Sequence, residues 1–231
     1  MPPSSSDLPL GVGRRLLVVA GFAVAMAWVE SAAVLYLRTL VNRLEPYQPN
    51  PLPIAGTLGG TEWVREAATL VMLLTVGWLA GRTGRSRFGY FVAAFGVWDI
   101  FYYVFLIPLT GWPHSLLDWD ILFLLPLPWW GPVLAAVMIA GLMIVGGGVL
   151  ACHDERGGPP LWPSTGSLWL SGIGVALALY VFMADAIHAV RHGESIQAIL
   201  PVAFNWPLFL VAWALMALPA VALVRQFFAR R

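Results

Sequence analysis

The chain has 231 residues, 59% of them hydrophobic and 11% charged, with a formal net charge of +1 and a mean hydropathy of +0.78. Soluble domains carry about 25% charged residues, so this composition excludes a water-soluble protein and leaves no room for a separate soluble domain. No basic patch with interleaved aromatics marks a nucleic-acid partner, the single Cys152 excludes an intrachain disulfide, and the absence of lysine excludes a retinal or pyridoxal Schiff base.

An ordinary membrane span needs about 20 mostly apolar residues. Taken in chain order, spans are expected at about 16–40, 63–81, 88–110, 121–151, 168–190 and 199–224. The first follows Arg14-Arg15 but is too long for a signal peptide, and it is read as uncleaved. The fourth ends at Ala151 and begins somewhere between Ile121 and Val133. Pro126, Pro128 and Pro132 break any regular helix there. The stretch 119–131 is therefore a short outer-leaflet helix, re-entrant backbone buried in protein, or a kinked helix start with an aromatic belt. Pro201, Pro207 and Pro219 predict a bent sixth helix. Gly146-Gly147-Gly148 inside the fourth span points to close helix packing rather than phosphate binding. The expected fold is an all-α polytopic bundle of six transmembrane helices in one domain over 1–231, with a Pro/Trp-rich segment before the fourth.

The positive-inside rule sets the orientation. With an inner N-terminus, Arg14, Arg15, Arg82, Arg85, Arg87, Arg156, Arg225, Arg230 and Arg231 fall inside, against Arg38, Arg43, Arg65 and Arg191 outside. Both termini are thus expected to be cytoplasmic, in a bacterial inner membrane. The outer loops fall at 45–61, 110–120 and 191–197.

Several acids and a histidine lie where a charge is expensive. A charge at the bilayer centre costs between about 2.5 and about 17 kcal/mol, so such residues are functional-site candidates by default. Glu30, Glu66, Asp99, Asp185 and His188 all fall in the outer halves of their spans, at 1.5 Å rise per residue. Asp120 opens the Pro-rich segment, and Asn205 is near the outer end of the sixth span. The inner halves hold almost nothing ionisable.

Asp185, His188 and His192, spaced by three and four, share one face of the fifth helix. With Glu66 they form a candidate metal-ligand set, since bundle sites combine carboxylates with an acid-x-x-His pair. Such ligands suit iron, manganese or zinc. Glu30 and Asp99 are candidate acid/base residues or further ligands, and Tyr103, one turn past Asp99, is a candidate acid. No haem, retinal or nucleotide is expected. Two other readings use the same residues. Arg38, Arg65 and Arg191 neutralise Glu30, Glu66, Asp99 and Asp185 as buried ion pairs, or the acids form a cation or proton path. His114 reads as a solvated loop residue, and His153-Asp154-Glu155 as a solvated inner turn.

The stretches Arg65-Glu-Ala-Ala-Thr-Leu-Val-Met-Leu-Leu, Val97-Trp-Asp-Ile-Phe-Tyr-Tyr, Gly111-Trp-Pro and Trp119-Asp-Ile-Leu-Phe-Leu resemble an uncharacterised family of bacterial multi-span membrane proteins. That resemblance covers about the middle third of the chain and implies no activity. His188, His192 and Asp99 weakly resemble the alkaline ceramidase and adiponectin-receptor superfamily of membrane zinc hydrolases. The Ser-x-x-x-His of that superfamily is absent, because Ser31 is followed by Leu35, and six spans stand in place of seven. The favoured expectation is a membrane-embedded metal-dependent enzyme whose site opens to the outer leaflet and takes an apolar or lipid-like substrate. The rivals are a cation or proton transporter and a structural subunit that joins other membrane subunits.

Overall fold

A computed structural model describes residues 11–43, 45–49, 56–155 and 161–229. Arg156, Arg230 and Arg231, which entered the topology count, lie outside them, as do residues 50–55 of the 45–61 loop. The described residues form six helices, all long and apolar enough to cross a membrane: α1 Val12–Leu40, α2 Gly56–Ala80, α3 Gly84–Thr110, α4 Val133–Glu155, α5 Thr165–His192 and α6 Trp206–Ala229. The protein is an all-α polytopic bundle.

Local chemistry sets the helix ends. Thr83 caps α3 through a reciprocal pair with Ser86, and Gly111 closes it at φ 75°, in the left-handed region that favours glycine. Ser164 caps α5 by accepting from the Ser167 N–H, and Gly193 ends it at φ 70°. Asn205 caps α6, its side-chain oxygen accepting from the Leu208 N–H at 3.1 Å. The sixth helix thus starts at Trp206 rather than near Ile199. Of the three prolines expected to bend it, Pro201 precedes the helix, Pro207 sits in its first turn, and Pro219 lies within.

The fourth span also starts later than its apolar run. Residues 119–132 are not helical but form an antiparallel hairpin, β1 Trp119–Ile121 and β2 Trp130–Pro132, with Asp120 opposite Gly131. The pairing continues inward through Leu122 N–H to Trp129 O at 2.8 Å and Trp129 N–H to Phe123 O at 2.7 Å. The Phe123 ring packs against Phe95 and Trp98, near the middle of α3. The hairpin is therefore re-entrant: it dips between helices, and a helix cannot form because its tip carries Pro126 and Pro128.

The third helix is the hub and packs on α1, α2 and α4, while α6 joins α4 to α5. The fifth helix rests on α6 and β2, with Trp129 stacked on Phe182. The helix ending at Glu155 carries His153 into a buried contact with Phe227, so the expected turn at 153–155 is helical. Small residues set the closest crossings, as in membranes generally. A Cβ at Gly89 would lie 2.7 Å from Ala151 N, and one at Gly147 would lie 2.6 Å from Gly89 O.

The three consecutive glycines of α4 separate packing from propensity. Gly147 faces α3, Gly146 faces Ala220 at 3.3 Å, and Gly148 faces open space. We expect Gly147→Leu to destabilise by about 1–3 kcal/mol or more and Gly148→Ala to be neutral or mildly stabilising. Thermal unfolding in one detergent checks the order, and equal midpoints for the two variants would contradict the α3–α4 crossing.

Candidate functional site

The polar residues gather at the end of the bundle where α1 finishes. On α1, Glu30, Val34 and Arg38 recur every four residues and so share a face. On α2 the buried stripe is Gly59, Glu62, Glu66, Thr69, Leu73 and Gly77, polar at one end and apolar at the other. The third helix contributes Asp99, Tyr102 and Tyr103, and the hairpin contributes Asp120 and Leu124. Ser31 ties α1 to α3 by donating to Ala27 O at 2.8 Å and Tyr102 O at 3.0 Å.

Most of these acids have a partner. Arg65 reaches along α2 to Glu62, with Nε at 3.0 Å and Nη2 at 2.8 Å from Oε2, and pairs across the helix gap with Glu30. Thr69 also donates to Glu30 at 3.3 Å. Glu66 is bonded to backbone: both its oxygens accept from the Leu124 N–H, at 2.9 and 3.0 Å. Asp120 is held from two sides. The Tyr103 hydroxyl donates to Oδ2 at 3.1 Å, and Arg38 lies 3.5 Å from Oδ1 while stacking over Trp112.

Asp99 differs. It has no hydrogen bond or ion pair with any described residue. Its carboxylate lines a small cavity of about 30 Å³ with Glu30, Glu66, Thr69, Trp98, Tyr102, Tyr103 and Phe123. Glu66 and Tyr102 also line a second cavity of about 110 Å³, which reaches the loop after α1 at Val41, Arg43 and Pro46 and contains Arg38, Glu62 and Asp120. In the other direction polarity stops. Val19, Ala23, Met26, Ala27, Leu73 and Ala94 close the space between α1, α2 and α3.

The structure thus brings Glu30, Glu66, Asp99 and Tyr103 together, as the sequence suggested. It does not bring Asp185, His188 and His192 to them. Those three share one face of α5, with the two imidazoles 4.3 Å apart, but the histidines are exposed and nothing on α5 lines either cavity. The reason is packing: the buried face of α5 is Gly174, Ala178, Val181, Phe182, Ala186 and Ala189, and it meets α6 and the hairpin. Among the described residues, no group of three or more His, Cys, Asp or Glu side chains is arranged to hold a metal ion. A single site joining Glu66 to the α5 stripe is therefore not formed, and Glu66 serves the hairpin instead. Arg191 pairs with no described acid, so one-to-one neutralisation by arginines does not hold either. His114 is an exposed loop residue near Asp118, as expected.

Sequence reading missed the working roles of Tyr102, Glu62 and Asp120. Helical spacing was the available signal for the first two, since Tyr102 is three residues past Asp99 and Glu62 four before Glu66. For Asp120 no such signal existed, because the hairpin fold carries it to Arg38 on α1 and Tyr103 on α3. No protein-family model, curated protein or solved structure matches the chain.

Asp120 lies outside the six spans, and its burial lifts the carboxyl to about 6, against the pull of Arg38, the Ile121 amide and Tyr103. The folded state therefore holds this proton more tightly than the unfolded chain. The resulting stability is full below the ordinary value of 3.8 and is lost as pH rises through about 6. Melting curves of wild type and Asp120→Asn across that window test this. The stability of wild type relative to the variant should fall with rising pH and then level, and a rise would contradict it.

Proposed function

We propose that the chain is a membrane-embedded enzyme that works by acid–base chemistry in this one-ended pocket, on an apolar or lipid-like substrate. The observation that carries the reading is Asp99. Every neighbouring acid is bonded to an arginine, a hydroxyl or a backbone N–H, while Asp99 faces a cavity with no described partner. An unpartnered carboxylate inside a membrane span is costly, and acids gathered in clefts are candidates for functional sites. Asp99 is the group that exchanges a proton with the substrate. Glu30, fixed by Arg65 and Thr69, is the second carboxylate. Tyr103 positions Asp120 at the cavity wall.

The arginine asymmetry supports cytoplasmic termini and a pocket facing the outer leaflet of a bacterial inner membrane. Substrate then enters beside the loop after α1, where Val34, Leu37, Val41, Ile121 and Leu124 offer apolar walls. A cation or proton carrier needs polar groups on both sides of the site, and the apolar packing of Ala23, Met26, Leu73 and Ala94 speaks against one.

The test is turnover. Purified protein in nanodiscs is incubated with a bacterial total lipid extract, and lipid species are followed by mass spectrometry. Wild type should deplete at least one species, and Asp99→Asn should slow that depletion about a hundredfold or more. No depletion by wild type would contradict the reading.

A further inference from the structure

Five carboxylates, Glu30, Glu62, Glu66, Asp99 and Asp120, line or adjoin the two cavities. Three guanidinium groups, Arg38, Arg43 and Arg65, stand among them. That leaves two more carboxylates than guanidinium groups in a buried pocket, where uncompensated charge is expensive. The excess is concentrated at the deep cavity, whose lining holds three carboxylates and no arginine. A cation fits this site by charge.

Size and donor geometry narrow the cation. A space of about 30 Å³ holds one or two water-sized groups, which excludes a trimethylammonium head. An ammonium group is compact and carries three donors. The acceptors facing it are the unpartnered Asp99 carboxylate, the remaining lone pairs of Glu30 and Glu66, and the Tyr102 hydroxyl, which has no other described partner. Two aromatic rings add attraction for a cation, since Trp98 and Tyr102 are stacked 6.2 Å apart on the cavity wall. Beyond Glu66 and Tyr102, the larger cavity supplies aliphatic wall for a hydrocarbon body.

Resting on the reading of this pocket as the working site, we propose that it takes an amphiphilic primary amine, with the ammonium group seated on Asp99 and the apolar body in the outer cavity. The amine comes either from a free alkylamine or from an amine-bearing lipid headgroup.

Calorimetric titration of the full-length protein in a neutral detergent tests this with octylammonium chloride, with tetramethylammonium and sodium chlorides as controls. Octylammonium should bind saturably at one per chain, the controls should not, and Asp99→Asn should weaken binding about tenfold or more. A second measurement needs no variant. An apolar carbodiimide is allowed to modify wild-type carboxyls in phosphatidylglycerol nanodiscs, and the Asp99 adduct is followed by peptide mass spectrometry. Octylammonium should slow that adduct. If added phosphatidylethanolamine slows it too, the source is a lipid; if only octylammonium does, the source is a free amine. Absence of both saturable binding and protection would overturn the proposal. Lipid turnover that depends on Asp99 without ammonium binding would overturn it while leaving the enzyme reading intact. Ammonium binding without turnover would uphold the amine site and remove the enzyme.

Discussion

Backbone dipped into a membrane protein must find its hydrogen bonds inside the protein, because lipid offers none. The hairpin between α3 and α4 meets that requirement largely by pairing with itself. At its tip the requirement falls on Glu66, whose carboxylate takes the Leu124 N–H on both oxygens. Leaving such an amide unbonded costs about 1–3 kcal/mol in a protein interior. The same contact fixes the hairpin between α2 and α3. The position of Asp120, and through it of Arg38 and Tyr103, follows from where the hairpin sits.

Once the hairpin is in place, the charges sort themselves. Arg65 serves two carboxylates on two helices, Arg38 serves one on the hairpin, and Glu66 serves the backbone. These assignments use nearly all the polar partners at that depth. Asp99 is left facing a cavity walled by aromatic rings, two acids, Thr69 and Leu122. An acid cluster that is mostly neutralised is structural; the member that is not is where chemistry is possible. Burial of this kind also explains why the site is one-ended, since the core below it, built of alanines, Met26, Leu73, Tyr90 and Trp98, holds no charged side chain.

The sequence showed the helices well because long apolar runs leave few alternatives. All six spans were legible, as was the close approach at Gly147. Their boundaries were not, where an apolar run continued past a helix end. Ile121 to Leu125 is as hydrophobic as the span that follows, yet Pro126 and Pro128 turn it into a hairpin. Likewise Asn205, which looked like a polar residue within the sixth span, caps it. The acids of α1 to α3 meet at one end of the bundle, where their spacing along the three helices puts them. The α5 stripe was placed on one face, but spacing alone does not say toward what that face points. Gly174, Ala178 and Ala189 lie on nearly the same face, and that face packs on α6 and the hairpin rather than on the helices of the pocket.

The hairpin is the part of this account on which the pocket stands, and amide hydrogen exchange tests it most directly. In wild-type protein in nanodiscs, peptides covering 121–130 should exchange slowly, comparable to the flanks of α3 and α4. In Glu66→Ala the same peptides should exchange much faster, while α5 and α6 remain protected. Fast exchange of 121–130 in the wild type, as in a surface loop, would contradict a buried hairpin and the one-ended pocket that depends on it.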